Sequence, residues 1–260
     1  MWSFRFFRVL WQHAEKPFRT IPNTTAEGLI CSACLMPWPV PGPHTAPQGS
    51  LLTHRCFPVS QVLCRYQHVW DIDLRLRPAF LGGVMQATGN KPPAMLPKRA
   101  EYMLKDLKRM AKYYQVPVKI SGSDFQRILG TSSLGAMRFI TALQMTQPAR
   151  VEPVSREFWV RFWSQREDIS QPESILAVAR QAGISSELAQ KLLEMISTPE
   201  VKNRLKETTE EAIKYGAFGM PAAVAHLHGE PQLFFGSDRL ELLGNFIGEK
   251  WLGPVPSPKM

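Results

Sequence analysis

From residue 62 onward the apolar and polar positions fall into regular periods; before it they do not. Val62 to Val69 continues a helical pattern. Ile72, Leu74 and Leu76 then alternate with Asp73, Arg75 and Arg77, the period of two that marks a half-buried strand, and Pro78 ends it. Gly82-Gly83 and the run from Gly89 to Pro93 read as turns. Lys98 to Tyr114 is helical, with a short extended piece at Val116 to Ile120. Five amphipathic helices follow, over Leu134 to Met145, Val154 to Ser164, Ser174 to Ala182, Ser186 to Ile196 and Pro199 to Tyr215, separated by Pro, Gly, Asp and Ser signals. Thr198 before Pro199 is an N-cap followed by an N1 proline.

The last part of the chain is the most readable. Gly216 suits a helix C′ position, where positive φ costs little. Met220 precedes Pro221 and is therefore pushed out of the α region. Ala222 to His228 reads as a buried strand, Gly229-Glu230 as a tight turn, and Gln232 to Phe235 as the returning strand. Asp238 is expected to N-cap a final helix, with Glu241 three residues on completing a capping box. Leu240, Leu243, Phe246 and Ile247 form the apolar stripe of that helix.

Composition sets bounds on this picture. The 260 residues are 44% hydrophobic and 20% charged, the balance of a soluble globular chain. No apolar run reaches the length of a membrane span. The net charge of +9 comes from no dense basic block. Lys105, Lys108, Arg109 and Lys112 share a helix with apolar partners and lack the aromatic interleaving of a nucleic-acid stripe. We therefore expect no nucleic-acid partner, and a preference for small anionic ligands.

The first sixty residues differ in kind. Met1 to Leu10 is aromatic and basic, like a mitochondrial presequence. Five prolines fall between Pro37 and Pro47, a density that neither helix nor interior strand survives. Residues 20–55 are expected to be irregular. Cys31-Ser-Ala-Cys34 has the spacing of a redox dithiol, but Met36-Pro37-Trp38-Pro39 follows at once and prevents a helix from opening there. A zinc site from Cys31, Cys34, His44 and Cys56 lacks a second paired spacing, and no metal is expected.

Six segments, in order, carry a resemblance: LCRYQHVWDIDLRLRP, GNKPPAMLP, AMRFITA, SREFWVRFWSQREDISQPESILA, LKETTEEAIKYGAFGMP and LFFGSDRLELLGNFIGEKWLGPVP. Between Val62 and Pro254 the chain resembles a kappa-class glutathione S-transferase, related in fold to 2-hydroxychromene-2-carboxylate isomerases and periplasmic disulfide-forming oxidoreductases. The resemblance implies an α/β, thioredoxin-like fold with an inserted helical domain. The thioredoxin-like part would comprise residues 56–85 and 200–254, the insertion 86–199, and an atypical irregular segment 1–55. It implies conjugation of the glutathione thiolate to small hydrophobic electrophiles, with a peroxidase side activity, in a homodimer located in mitochondria or peroxisomes.

The resemblance also implies a site. Asn90 would contact glutathione, the backbone of Met220 before a cis Pro221 would pair with its cysteinyl unit, and Ser237 and Asp238 would hold its γ-glutamyl end. The family's opening strand and Ser-Pro-Tyr-Ser-Trp motif are absent, and His44 to Gly49 is a poor replacement for an interior strand. Counted back without gaps, the catalytic serine falls on Thr53, with Cys56 a rival nucleophile three residues on. Three functions follow: a glutathione transferase, an impaired variant that only binds glutathione or a partner, and a dithiol oxidoreductase using Cys31 and Cys34. Cys56-Phe-Pro-Val-Ser-Gln61 is also what a pyrimidine-rich intron end closing in CAG encodes, so the break before Val62 carries the mark of an alternative first exon, a retained intron or a faulty gene model.

Overall fold

The computed structural model describes residues 56–92, 95–121, 128 and 130–257, and residues 26–33 by their backbone. Thr53, Cys34, His44 and the presequence-like opening lie outside the described residues. The elements run β1 (Ala26–Ala33), α1 (Cys56–Tyr66), β2 (Ile72–Pro78), α2 (Leu81–Thr88), α3 (Pro97–Tyr114), α4 (Leu134–Thr146) and α5 (Val151–Trp159), the last continuing as a wide π turn over Val160–Gln165. Then come α6 (Pro172–Gln181), α7 (Ser186–Met195), α8 (Pro199–Lys214), β3 (Ala222–Leu227), β4 (Glu230–Phe235) and α9 (Leu240–Phe246).

The four strands form one mixed sheet in the order β2-β1-β3-β4. β1 runs parallel to β2, with Leu29 opposite Leu74, and antiparallel to β3, with Leu29 opposite Ala225. β3 and β4 form a hairpin in which Ala222 faces Phe235. The stretch expected to be irregular therefore supplies the interior strand that the sequence reading found missing. The physical reason is local. Residues 23–36 contain no proline, and Leu29-Ile30-Cys31 is a short apolar run of the kind a strand buried on both faces presents. The dense prolines begin only at Pro37, after β1 has ended.

Two further expectations are corrected. Gly82-Gly83 is no turn but lies inside α2, which ends at Gly89 with φ +70. Asp238 does not cap α9. That helix begins at Leu240 behind Arg239, without a side-chain cap, because the Asp238 carboxylate folds back over Gly236 and pairs with Arg239 Nη1 at 2.8 Å. The remaining helices and the hairpin fall within a few residues of their expected bounds, the range over which helix ends fray.

Periodicity places the core. Met103, Leu107, Met110 and Tyr114 form the buried stripe of α3, while Lys105, Lys108, Arg109 and Lys112 are on its less buried or exposed face. Trp159, Trp163, Phe139, Phe158 and Phe162 are fully buried between the helices. Phe57 of α1 stacks on Trp159 of α5 at 5.6 Å, so a single apolar cluster runs from the sheet side into the helical block. Burying each such ring is worth about 1.5–3 kcal/mol. A second, smaller cluster joins α2, the end of α8 and the start of β3, and it underlies the site.

Candidate functional site

α8 ends in a way that its sequence dictates. Gly216 takes φ +90; its N–H bonds Ile213 O at 2.8 Å, and the Ala217 N–H bonds Ala212 O at 3.0 Å. This pair of bonds is the Schellman arrangement, which satisfies the last carbonyls of the helix and turns the chain. The turn delivers Phe218, Gly219 and Met220 to the sheet. The Met220–Pro221 peptide is cis, as expected. Pro221 O accepts from Gly236 N at 3.1 Å, which ties the cis bond to the segment carrying Ser237 and Asp238.

Asn90 arrives from the other side. It follows Gly89 at the end of α2 and donates through Nδ2 to Phe218 O at 2.7 Å. Its Oδ1 accepts from Lys91 N at 2.8 Å. A Cβ at Gly219 would meet Phe235 Cε2 at 3.0 Å and Asn90 Nδ2 at 3.6 Å, so a larger residue there would press on the Phe235 ring. These contacts bring Asn90, the Met220–Pro221 bond and the start of the Gly236–Asp238 segment to one place.

The side chains are set differently from one another. Asp238 is largely exposed and holds Arg239 beside it. Ser237 is 3% exposed. Its Oγ lies 3.9 Å from Met110 Sδ, and its carbonyl accepts from the Tyr114 hydroxyl at 2.6 Å. Helix α3 therefore braces the Ser237 end of the site through Tyr114, a contribution that sequence reasoning missed; the apolar stripe of α3 was legible, but the polar tip of its last residue gave no sign of its partner. Met220 is fully buried and packs in the small apolar cluster with Leu81, Val84 and Met85 of α2.

Cys56 belongs to that same cluster and is fully buried as the first residue of α1. The rival nucleophile therefore lies buried beside Leu81, Met85 and Ala212 and shows no exposed thiol. Cys31 lies within β1, opposite Ala223 and Leu76, and not at the helix N-terminus that would acidify a redox thiol. The dithiol reading loses its structural context as well. Two cavities open elsewhere, one beside Cys64 and one between α2, α4 and α8; Asn90, Met220, Ser237 and Asp238 line neither.

A parallel β1–β2 pair, an antiparallel hairpin led by a cis-proline and a helical block inserted between them define a DsbA-like thioredoxin domain. The family description "DSBA-like thioredoxin domain" matches residues 50–248. Human glutathione S-transferase kappa 1 is 52% identical over 196 residues, covering 75% of this chain and 87% of that protein, and the chain belongs to the kappa-class glutathione S-transferases. The fold is also that of 2-hydroxychromene-2-carboxylate isomerase, at TM-score 0.61 and 20% identity over 85% of this chain and 94% of the other. It is shared by the cytosolic disulfide reductase DsbM from Pseudomonas aeruginosa with GSH, at TM-score 0.56 and 14% identity over 85% and 96%. These two likenesses concern the fold alone.

Proposed function

We propose that the chain conjugates the thiolate of glutathione to small hydrophobic electrophiles. The observation that carries this reading is the convergence of Asn90, the cis Met220–Pro221 bond and Gly236–Asp238. Asn90 contacts the tripeptide, the Met220 backbone pairs with the cysteinyl unit, and Asp238 faces the γ-glutamyl ammonium while Ser237 and nearby N–H groups meet its carboxylate. The Thr53 hydroxyl donates to the glutathione sulfur and favours the anion. The thiol proton leaves to solvent; the sulfur lone pair then forms a bond to the electrophilic carbon, and the leaving group departs with the bonding pair it held. No metal enters this step.

A second reading is favoured by one observation. The sequence between Ala33, which ends β1, and Cys56, which opens α1, contains no Ser-Pro-Tyr-Ser-Trp. A chain with the pocket and without the activating hydroxyl binds glutathione and turns it over slowly or not at all.

Calorimetry of the full-length chain with glutathione, followed by conjugation of 1-chloro-2,4-dinitrobenzene, separates these readings. One-site binding with turnover that Thr53→Ala abolishes supports the transferase. Binding without turnover supports the second reading, and absence of binding in a folded chain removes both. A homodimer in mitochondria completes the proposal. Family membership and the exposed Leu242 and Phe246, one turn apart on α9, support the dimer. The aromatic and basic opening supports the location. Light scattering and organelle fractionation test them.

A further inference from the structure

Helix α2 has two working faces. Leu81, Val84 and Met85 turn towards the cluster that holds Met220. Gly83, Gln86 and Ala87, three and four residues apart on the other face, border a cavity of about 540 Å³ closed by α4 and α8. That volume is within the range of about 300–1,000 Å³ typical of small-molecule sites.

The lining combines two chemistries. Phe80, Leu134, Leu205 and Ile213 give it an apolar floor. Arg138, Lys202 and Lys206 give it three cations, against the single carboxylate of Glu210. Lys206 and Glu210 are 3.7 Å apart and well exposed, so they sit at the mouth. Arg138 is different. Its Nε is buried with no hydrogen-bond partner, and among the described residues no carboxylate pairs with it. Burial alone pushes its guanidinium below the ordinary arginine value. Arg138 thus brings a half-buried guanidinium, paired with no carboxylate among the described residues, to the edge of an apolar cavity, and its planar fork fits a carboxylate.

We propose that the cavity between α2, α4 and α8 binds an amphipathic organic anion, with the carboxylate on Arg138 and the hydrocarbon body over Phe80, Leu134, Leu205 and Ile213. A medium-chain carboxylate has this shape. Glutathione does not: it carries charge at both ends and would leave the apolar floor unmatched. The site is therefore separate from the Asn90–Met220–Asp238 cluster and stands whether or not that cluster binds glutathione.

The test uses decanoate, below its micelle concentration, titrated into the full-length chain without glutathione. One-site binding is expected. Arg138→Met, which keeps the stem and removes the charge, weakens it about tenfold or more, as expected for a lost charge-assisted pair. Ala87→Trp fills the cavity and abolishes it. Both variants are first checked by circular dichroism and thermal melting. On the native chain, 1-nonanol provides a measurement that needs no variant: it binds about tenfold more weakly than decanoate, because it cannot engage the guanidinium. Absence of saturable decanoate binding overturns the proposal. So does equal affinity for the acid and the alcohol, or binding that survives both Arg138→Met and Ala87→Trp.

Discussion

The side-chain amide of Asn90 donates to the backbone carbonyl of Phe218 at 2.7 Å, bridging 128 residues of chain. The bond fixes the end of α2 against the turn that leads into the cis-proline. Asn90→Ala removes the donor and leaves the exposed Phe218 carbonyl to water. We expect a loss of about 1 kcal/mol in stability, a fall of about 2–4 °C in melting temperature for a domain of this size, and glutathione affinity reduced about tenfold. An unchanged affinity in calorimetry would separate Asn90 from the site.

Asn90, Met220, Ser237 and Asp238 came from the family resemblance, carried by the local motifs Gly-Asn-Lys-Pro-Pro, Gly-Met-Pro and Gly-Ser-Asp; the residues alone announced only turns there. The Schellman end of α8 and the hairpin were legible because their turn signals are local. β1 was not. Its pairing with β2 and β3 is a tertiary fact, and a short apolar run beside a proline-rich tract carries little local signal. The Gly82-Gly83 misreading has the same origin: packing of Leu81, Val84 and Met85 against Ala212 and Met220 stabilises a helix that glycine propensity alone disfavours. Asp238 shows the converse, since a correct capping pattern was overridden by its pairing with Arg239.

Gly236 has φ +95, and a Cβ there would approach Asp238 Oδ1 to 2.8 Å. Gly236→Ala therefore imposes an unfavourable backbone and displaces the carboxylate at the same time. The expected outcome is a loss of about 1–3 kcal/mol together with weakened glutathione binding. Asp238→Asn keeps the backbone and removes only the charge, so it weakens binding with little change in melting temperature. If both variants bound glutathione like the native chain, the γ-glutamyl role of Asp238 would be wrong.

Tyr114→Phe tests the brace under Ser237. The hydroxyl bond to Ser237 O is 2.6 Å long and buried, so the variant leaves a buried acceptor unpaired at about 1–2 kcal/mol. Because α3 packs mainly through Met103, Leu107 and Met110, the helix itself remains. Urea denaturation measures the loss, and a midpoint equal to that of the native chain would mean that Ser237 is held by other contacts.

Tyr66 ties the end of the described chain to α1. Its hydroxyl donates to Gly253 O at 2.7 Å and accepts from Leu252 N at 2.7 Å, and its ring stacks on Trp251 at 5.0 Å. Tyr66→Phe keeps the stack and cuts both bonds. We expect a loss of about 1–3 kcal/mol and earlier proteolytic cleavage between residues 247 and 257. Cleavage at the native rate would show that Trp251 and the Arg65 bond to Pro254 O suffice to hold the tail.

Asp168 gives the pH dependence. Burial opposes its ionisation, but bonds from the Ser170 hydroxyl, the Gln171 and Ser170 N–H groups and the Ser174 hydroxyl outweigh it and hold the carboxyl below its ordinary value. A carboxyl whose folded value is depressed releases its proton more readily in the folded than in the unfolded chain. It therefore stabilises the fold at all pH values above its unfolded pKa of about 3.9, and the contribution disappears as pH falls through the lower folded value. Asp168→Ala is expected to cost about 1–2 kcal/mol near neutrality, and the gap between variant and native chain narrows as the medium is acidified below about pH 4. Urea midpoints measured across that range decide the matter: a gap that stays constant would mean that Asp168 acts through its shape and not through its charge.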